Sequence, residues 1–435
     1  MKGHHQHMPA PDLTTNDGSD GTARPRTGKG LGAFFAVDRR AWARACELGL
    51  NPATAYLVLA CGTGRNNGTT TWSVHAIETY TSISRGRARK ALEALRQVGL
   101  VQVLREGTRP KYRLTPAHEV HGCEGCLPAL DEQELRLLDW LRQGNKYPPN
   151  KTSPEWGYRN PRTIARGLVK KGMAREPITN LFEISDSALA AAEPDWIWLP
   201  NAIVTGAAGE TPPVELVRQT QDAMTLRLLI DLYHAQNLRE DGGIGRQLMR
   251  RQYERVKLGQ HAQFTVWGFR YQGESASWSG PTRCHYRAKL TDQEKAAGAN
   301  PGVDFFRRQG QLVRLGLIEW VPHLVEGDGP EAEIIHPLGT GTTTSVEDRL
   351  GRAAAEAAAE MLTEGQLVRA EVQDLHLVPV PHHVANVQLI GIARLRYRPR
   401  TRMTAAWWAG LLTRGERHLA CYQELAGIEV EAMSA

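Results

Sequence analysis

The chain of 435 residues carries 53 Lys and Arg against 47 Asp and Glu, is 41% hydrophobic and 23% charged, and has a formal net charge of +6. Such a chain buries a large core, is too long for one ordinary domain and is expected to divide into about two to four. No stretch nears the roughly 18 consecutive apolar residues of a membrane-crossing helix, and residues 1–30 lack the apolar segment of a secretory signal, so a soluble cytoplasmic protein without a membrane partner is expected.

The six cysteines, at 46, 61, 123, 126, 284 and 421, are too scattered to form a disulfide framework, which fits a reducing compartment. Residues 1–30 are rich in Gly, Pro, Thr and Asp, and read as a disordered tail that includes His4, His5 and His7. Composition breaks at 118–132 and 190–196, with polar, Gly-rich interruptions further on, divide the remainder of the chain. The expected plan is a first domain at 31–117, a linker at 118–130, a second domain at 131–193, a larger α+β domain at 194–338 and a C-terminal helix-and-strand region at 339–435.

In the first domain, NPATAYLVLA (51–60) suits a helix with proline in its first turn, and TTTWSVHAIETY suits a second. Ser73 is placed to cap that helix, with Trp72 packing on Ile77; Ile83, Ser84 and Ala88 repeat the device at the next helix. The connection Tyr80–Ile83 makes the pair a helix-turn-helix. At 100° per residue the helix after Ser84 gathers Ala88, Ala91, Leu92, Leu95 and Val98 on one face. Arg85, Arg89, Glu93 and Arg96 fall opposite, flanked by Arg87 and Lys90. A helix packed through one stripe with arginines outward suits a DNA major groove, where Arg bonds guanine bidentately. LVQVL (100–104) and KYRL (111–114) then form a hairpin tipped by Arg105 and Arg109, with Lys111 and Arg113 on the return strand, within reach of phosphates. The plain alternative is that charged helix faces and hairpin tips are simply solvated.

Residues 51–115, with TWSVHAIETYTSISRGRARKALEALRQVGLV as the matching core, resemble the winged helix-turn-helix family. The resemblance implies an α+β fold of mainly helical tandem winged-helix modules with small β-hairpin wings, and double-stranded DNA as partner. A weak internal repeat supports several modules: Leu, three residues, Gly, then Leu or Met recurs at Leu95 to Leu100, Leu168 to Met173 and Leu312 to Leu317. Each copy ends a helical pattern at glycine and begins an extended one. In the second module RNPRTIARGLVKKGM is the candidate recognition helix, with Arg159, Arg162, Arg166 and Lys170 along one stripe and Ile164, Ala165 and Leu168 opposite.

Further on, 195–204 reads as a strand, 214–236 as one long amphipathic helix and GRQLMRRQYERVKL as a basic helix bearing Arg246, Arg250, Arg251 and Arg255. FTVWGFRYQG reads as a strand, and VDFFRRQGQLVRLGLIEWVPHLVE as a helix followed by a wing-like strand. Leu350, Ala354, Ala357 and Met361 make a narrow stripe on an alanine-rich helix, for packing within the chain or in a homo-oligomer. Arg394, Arg396, Arg398, Arg400 and Arg402 alternate as an edge strand would present them, to phosphates or to solvent. His118, His121, Cys123 and Cys126 are zinc-binding types without a second pair, so no metal site is assigned. With no phosphate-loop, HExxH or GxSxG pattern, neither catalysis nor a cofactor is expected. Tandem winged helices with a larger second half resemble the architecture of plasmid and phage replication initiators, which makes origin binding the expected role. A transcription regulator with an effector-binding or oligomerising C-terminal half, and a non-enzymatic protein-binding scaffold, are the alternatives.

Overall fold

The computed structural model describes residues 34–64, 67–117, 120, 132–142, 145–149, 160–185, 195–207, 209–276, 293, 296–298, 303–327, 332–339, 345–398 and 402–427. Its contacts divide the chain into two compact units between His234 and Ala235.

The first unit opens with β1 (Phe34–Asp38), which pairs antiparallel with a strand far along the chain, β7 (Trp196–Pro200), in the register Phe34↔Pro200 to Asp38↔Trp196. Asp38 caps α1 (Arg39–Glu47): one carboxylate oxygen accepts the Arg40 N–H at 3.0 Å, and the other accepts the Ala117 N–H at 3.0 Å. This buried carboxylate ties the start of the unit to the end of its hairpin, the charge-assisted bonds offsetting its desolvation. Next comes α2 (Leu50–Cys61), with every residue from Pro52 to Cys61 buried. A helix apolar all round occupies the centre of a core. Around it lie α3 (Val74–Thr81) and α4 (Arg85–Gln97), followed by β3 (Val101–Arg105) and β4 (Lys111–Leu114). A short β2 (Thr69–Thr70) adds to the hairpin, giving the order β2-β4-β3.

Between β4 and β7 the chain builds a smaller cluster from α5 (Glu132–Arg142), α6 (Pro161–Lys170), β5 (Ala174–Ile178) and β6 (Leu181–Ile184). Leu137, Leu138, Leu141, Ile164, Ala165, Leu168 and Phe182 form its core. After β7 come α7 (Ala202–Thr205), α8 (Pro213–Gln219) and α9 (Ala223–His234), which pack on α1, α2 and α3. The single helix expected over 214–236 is therefore two. Gln221 takes a left-handed φ of 58°, and Asp222 accepts the Met224 N–H at 2.9 Å, so one helix is stopped and the next capped within three residues.

The second unit, from residue 235, is built on a six-stranded antiparallel sheet of order β13-β12-β15-β10-β11-β14. Its strands are β10 (Met249–His261), β11 (Phe264–Ala276), β12 (Ile318–Glu326), β13 (Glu333–Pro337), β14 (Leu375–Pro381) and β15 (Val387–Leu395). The chain is thus mixed α+β, and in this unit the sheet rather than small hairpins dominates. A two-stranded ribbon, β8 (Gln236–Asn237) and β9 (Gly243–Ile244), precedes it. The helices are α10 (Val303–Arg314), α11 (Val346–Glu360), α12 (Glu364–Val372) and α13 (Arg402–Leu425). Leu350, Ala353, Ala354 and Ala357 of α11 pack on Phe269, Val378, Val380 and Leu389 of the sheet and on Leu419 and Tyr422 of α13, so the alanine stripe serves this chain's own core. Tyr422 donates its hydroxyl to Nε2 of the buried His336 at 3.1 Å, docking α13 on β13.

Two further expectations are corrected by the structure. GRQLMRRQYERVKL is not a basic helix: Met249–His261 is a strand of 13 residues. Met249, Tyr253 and Val256 recur at helical spacing, but pairing with β11 and β15 supplies backbone partners that local propensity cannot anticipate. Arg251 bonds Glu274 at 3.0 Å, Arg255 donates to the Val387 carbonyl at 2.8 Å and Arg246 lies 3.2 Å from Asp241. The arginine row of 394–402 is not an edge strand either. Arg394 is 1% exposed on β15, between β12 and β10; it donates to both oxygens of Glu347 at 2.6 and 2.8 Å and to His323 Nε2 at 2.9 Å. Arg398 stacks over Trp408 at 4.5 Å, Arg400 lies outside the described residues, and Arg402 begins α13.

All three copies of the Leu-xxx-Gly repeat close a helix in the same way. The Leu100, Met173 and Leu317 N–H groups donate to the carbonyls of Leu95, Leu168 and Leu312 at 3.0, 2.8 and 3.0 Å, around glycines at φ 78°, 71° and 66°. This is the Schellman motif, with its apolar pair buried in each case. Nothing but Val120 approaches a Cβ added at Gly99, so strain alone opposes substitution there. Gly99→Ala is expected to cost about 1–2 kcal/mol in denaturant unfolding, and an unchanged midpoint contradicts the role given to the left-handed cap.

Asp195 accepts from Arg39 at 3.2 Å and from His234 at 2.9 Å, fastening the start of α1 and the end of α9 to β7. The His234 hydrogen bond foremost, with Arg39 beside it, brings its carboxyl down to about 2 from an ordinary 3.8. The unfolded carboxyl protonates first as pH falls, so this contribution is complete above about pH 4 and is lost between there and about pH 2. In an acid titration followed by circular dichroism, Asp195→Asn is expected to flatten the loss of structure across that window; an unaltered slope removes the clamp.

Candidate nucleic-acid interface

Helix α4 acquires its orientation from the turn before it. Ser82 adopts φ 52° after α3, and Ile83 is then driven into the core at 2% exposure before Ser84 opens α4. Trp72 stacks on Tyr80 with ring centroids 4.9 Å apart. The indole lies against Gly62, where an added Cβ would stand 2.4 Å from the ring. Ala88, Ala91, Leu92 and Leu95 bury against α2 and α3, and the opposite face holds Arg85, Arg87, Arg89, Lys90, Glu93 and Arg96, all exposed.

Arg96 lies 3.1 Å from Glu93, whereas none of Arg85, Arg87, Arg89 and Lys90 forms an ion pair with a described carboxylate. The first turn of α4 contains no acidic residue and its Ser84 side chain makes no capping bond. Cations there oppose the helix dipole, each a few tenths of a kcal/mol worse than an acid. Between α4, the start of α3 and β4 lies a cleft of about 470 Å³ lined by Val74, Arg89, Lys90, Leu92, Glu93, Arg96 and Tyr112. Tyr112, whose hydroxyl pKa is raised chiefly by burial, forms the cleft wall. The alternation in KYRL is the sequence signal for it, since it points Tyr112 and Leu114 inward.

Arg105, Arg109 and Lys111 are exposed on the hairpin, and the Arg105 Nε–H donates to the Arg109 carbonyl at 3.0 Å. Arg113 departs from expectation: it is half-buried in the central strand β4, opposite Thr69 and Gln102, and engages other groups. In α6, Asn160 caps the helix by accepting the Arg162 N–H at 3.0 Å; Arg162, Arg166 and Lys170 are exposed, with Arg166 3.8 Å from Glu176. Arg159 lies outside the described residues, as do His4, His5, His7, His118, His121, Cys123 and Cys126. Among the described residues no three His, Cys, Asp or Glu side chains are grouped to hold a metal, and no helix is long and apolar enough to cross a membrane. Comparison with protein-family models, curated proteins and solved structures finds no match to this chain.

The two faces of α4 predict opposite responses in thermal unfolding. Arg89→Ala is expected to leave stability within about 0.5 kcal/mol, whereas Leu95→Ala, at 0% exposure, is expected to cost about 2–5 kcal/mol. Similar losses from both place Arg89 in the core rather than on a free surface.

Proposed function

We propose that the protein is a sequence-specific duplex-DNA-binding protein of tandem winged-helix type, with α4 as recognition helix, the β3–β4 hairpin as wing, and α6 with the β5–β6 hairpin as a second copy. The observation that carries this reading is the exposed cationic face of α4. Arg85, Arg87, Arg89 and Lys90 crowd the uncapped start of a helix without acidic partners, an arrangement that phosphates and guanine edges relieve. Exposed cations on the adjoining hairpin extend the surface. The reading is non-enzymatic and requires no cofactor.

Two basic modules in one chain suit repeated or extended sites, and on that ground we place the protein at a replication origin of a plasmid or other mobile element. One observation favours the second reading, a transcription regulator. In residues 235–427 Arg246, Arg251, Arg255 and Arg394 are committed to internal contacts, which suits a unit for effector binding or assembly better than one for phosphates. Genome-wide recovery of bound DNA separates the roles, since origin and promoter peaks differ.

Binding is testable with duplexes selected from a random library. If about six to ten phosphates are engaged, affinity falls by about 10³–10⁵ between 50 and 200 mM salt. Replacing Arg85 or Arg89 by Ala is expected to cost about 1–3 kcal/mol on the selected duplex and less on a scrambled one, whereas Arg105→Ala and Arg109→Ala weaken both alike. Equal losses on both duplexes from the α4 variants remove base readout from this helix. Absence of duplex binding leaves the protein-binding scaffold.

A further inference from the structure

The two hairpins of the first unit share a device that the basic residues do not explain. In β3–β4 the register passes from Val103↔Tyr112 to Arg105↔Lys111, so Leu104 is an extra residue without a cross-strand partner. A bulge of this kind re-aims a side chain, and Leu104 is 51% exposed. The tip beyond it is pinned by the Arg105-to-Arg109 hydrogen bond at 3.0 Å. In β5–β6 the register breaks again, between Arg175 and Ile178, and Ile178 is 68% exposed at the closing pair with Leu181. That tip is pinned as well, by the Asn180 N–H on Glu176 Oε1 at 2.8 Å, with Asn180 at φ 66°.

A singly exposed aliphatic is ordinary. A register break, a pinned turn and an exposed aliphatic recur in both hairpins, each after a basic helix closed by the same glycine cap; Leu104 is the extra residue of its bulge, whereas Ile178 follows the break in a paired position. An exposed apolar side chain beside a pinned tip, flanked by the exposed cations Arg105, Arg109 and Lys111, is complementary to a minor groove, whose walls are phosphates and whose floor is stacked bases. Side chains such as leucine and isoleucine enter base steps there, unstack them and kink the duplex.

We propose that Leu104 is an apolar wedge that enters a base step through the minor groove of the bound duplex and kinks it, and that Ile178 repeats the act in the second module. This rests on the duplex-binding reading above and adds to it a deformation of the DNA, which is the first move in opening a duplex. The cations beside Leu104 hold the backbone on either side of the step, so its unstacking is offset by contacts that a straight duplex does not offer.

The test uses the full chain and a library-selected duplex carrying a fluorophore pair at its ends and 2-aminopurine at successive steps. The wild-type protein is expected to shorten the end-to-end distance and to brighten one 2-aminopurine position. Leu104→Ala is expected to lose most of both signals and about five- to ten-fold in affinity, and Leu104→Phe to retain them. Because Leu104 is half exposed, its variants keep the wild-type melting profile; Ile178→Ala reduces the bend on sites long enough for both modules. Unchanged bending with Leu104→Ala, while Arg85→Ala and Arg89→Ala still lose affinity, overturns the wedge and leaves duplex binding standing. Absence of duplex binding by the wild-type chain removes both. Loss of concentration-dependent self-association in the ultracentrifuge from Leu104→Ala, with bending intact, identifies Leu104 as a protein contact and also overturns the wedge.

Discussion

The packing of α4 on α2 decides which way the basic side chains of the first unit face. Helix α2 is buried from Pro52 to Cys61 and offers apolar surface all round, so a neighbour with only one apolar stripe must present that stripe. Ala88, Ala91, Leu92 and Leu95 answer it, two of them no larger than alanine. The outward face is set by this contact, because a helix that docks through one stripe leaves the residues opposite that stripe pointing away. The hairpin is placed by the same event, since the cap at Gly99 turns the chain from the end of α4 directly into β3.

Closure of the unit is a separate matter and depends on residues far apart in sequence. β1 acquires its partner only when Trp196–Pro200 arrives, and the buried Asp38 carboxylate and the half-buried Asp195 carboxylate then tie distant segments together by accepting from the Ala117 N–H and from His234. The module at 132–185 is accordingly an insertion between two halves of one core. The inserted segment has an apolar cluster of its own, in which α5 and α6 pack together with the β5–β6 hairpin.

The second unit uses arginine differently. Where α4 exposes guanidinium groups, the sheet engages them: Arg394 is buried among Glu347, His323 and Trp408, and the half-buried Arg251 lies between Tyr271 and Trp320 at 5.3 and 4.9 Å. Gly391 makes room for the latter, since a Cβ there would stand 2.7 Å from that of Arg251. Planar, weakly hydrated guanidinium groups stack on aromatics and fork onto carboxylates, so identical residues serve as cement in one unit and as surface in the other. Burial also holds His336 neutral, its pKa pushed down to about 3, as an acceptor for the Tyr422 hydroxyl beneath α13.

Local rules sufficed for the helices and the hairpin of 50–114, for the arginine face of α4, and for the three glycine caps. Each of these is set by neighbours within about five residues: apolar spacing, a left-handed glycine, a change of period from 3.6 to 2. Tertiary structure alone decided the rest. It made Met249–His261 a strand, because β11 and β15 supplied its backbone partners; it broke 214–236 at Gln221, where the two helices turn to pack on different neighbours; and it took Arg394 out of a supposed phosphate row, because β15 lies inside the sheet. It also half-buried Arg113 and left Leu104 outside the ladder. Sequence records how often a side-chain type recurs, whereas which strand lies alongside, and at what register, is fixed only when distant segments meet.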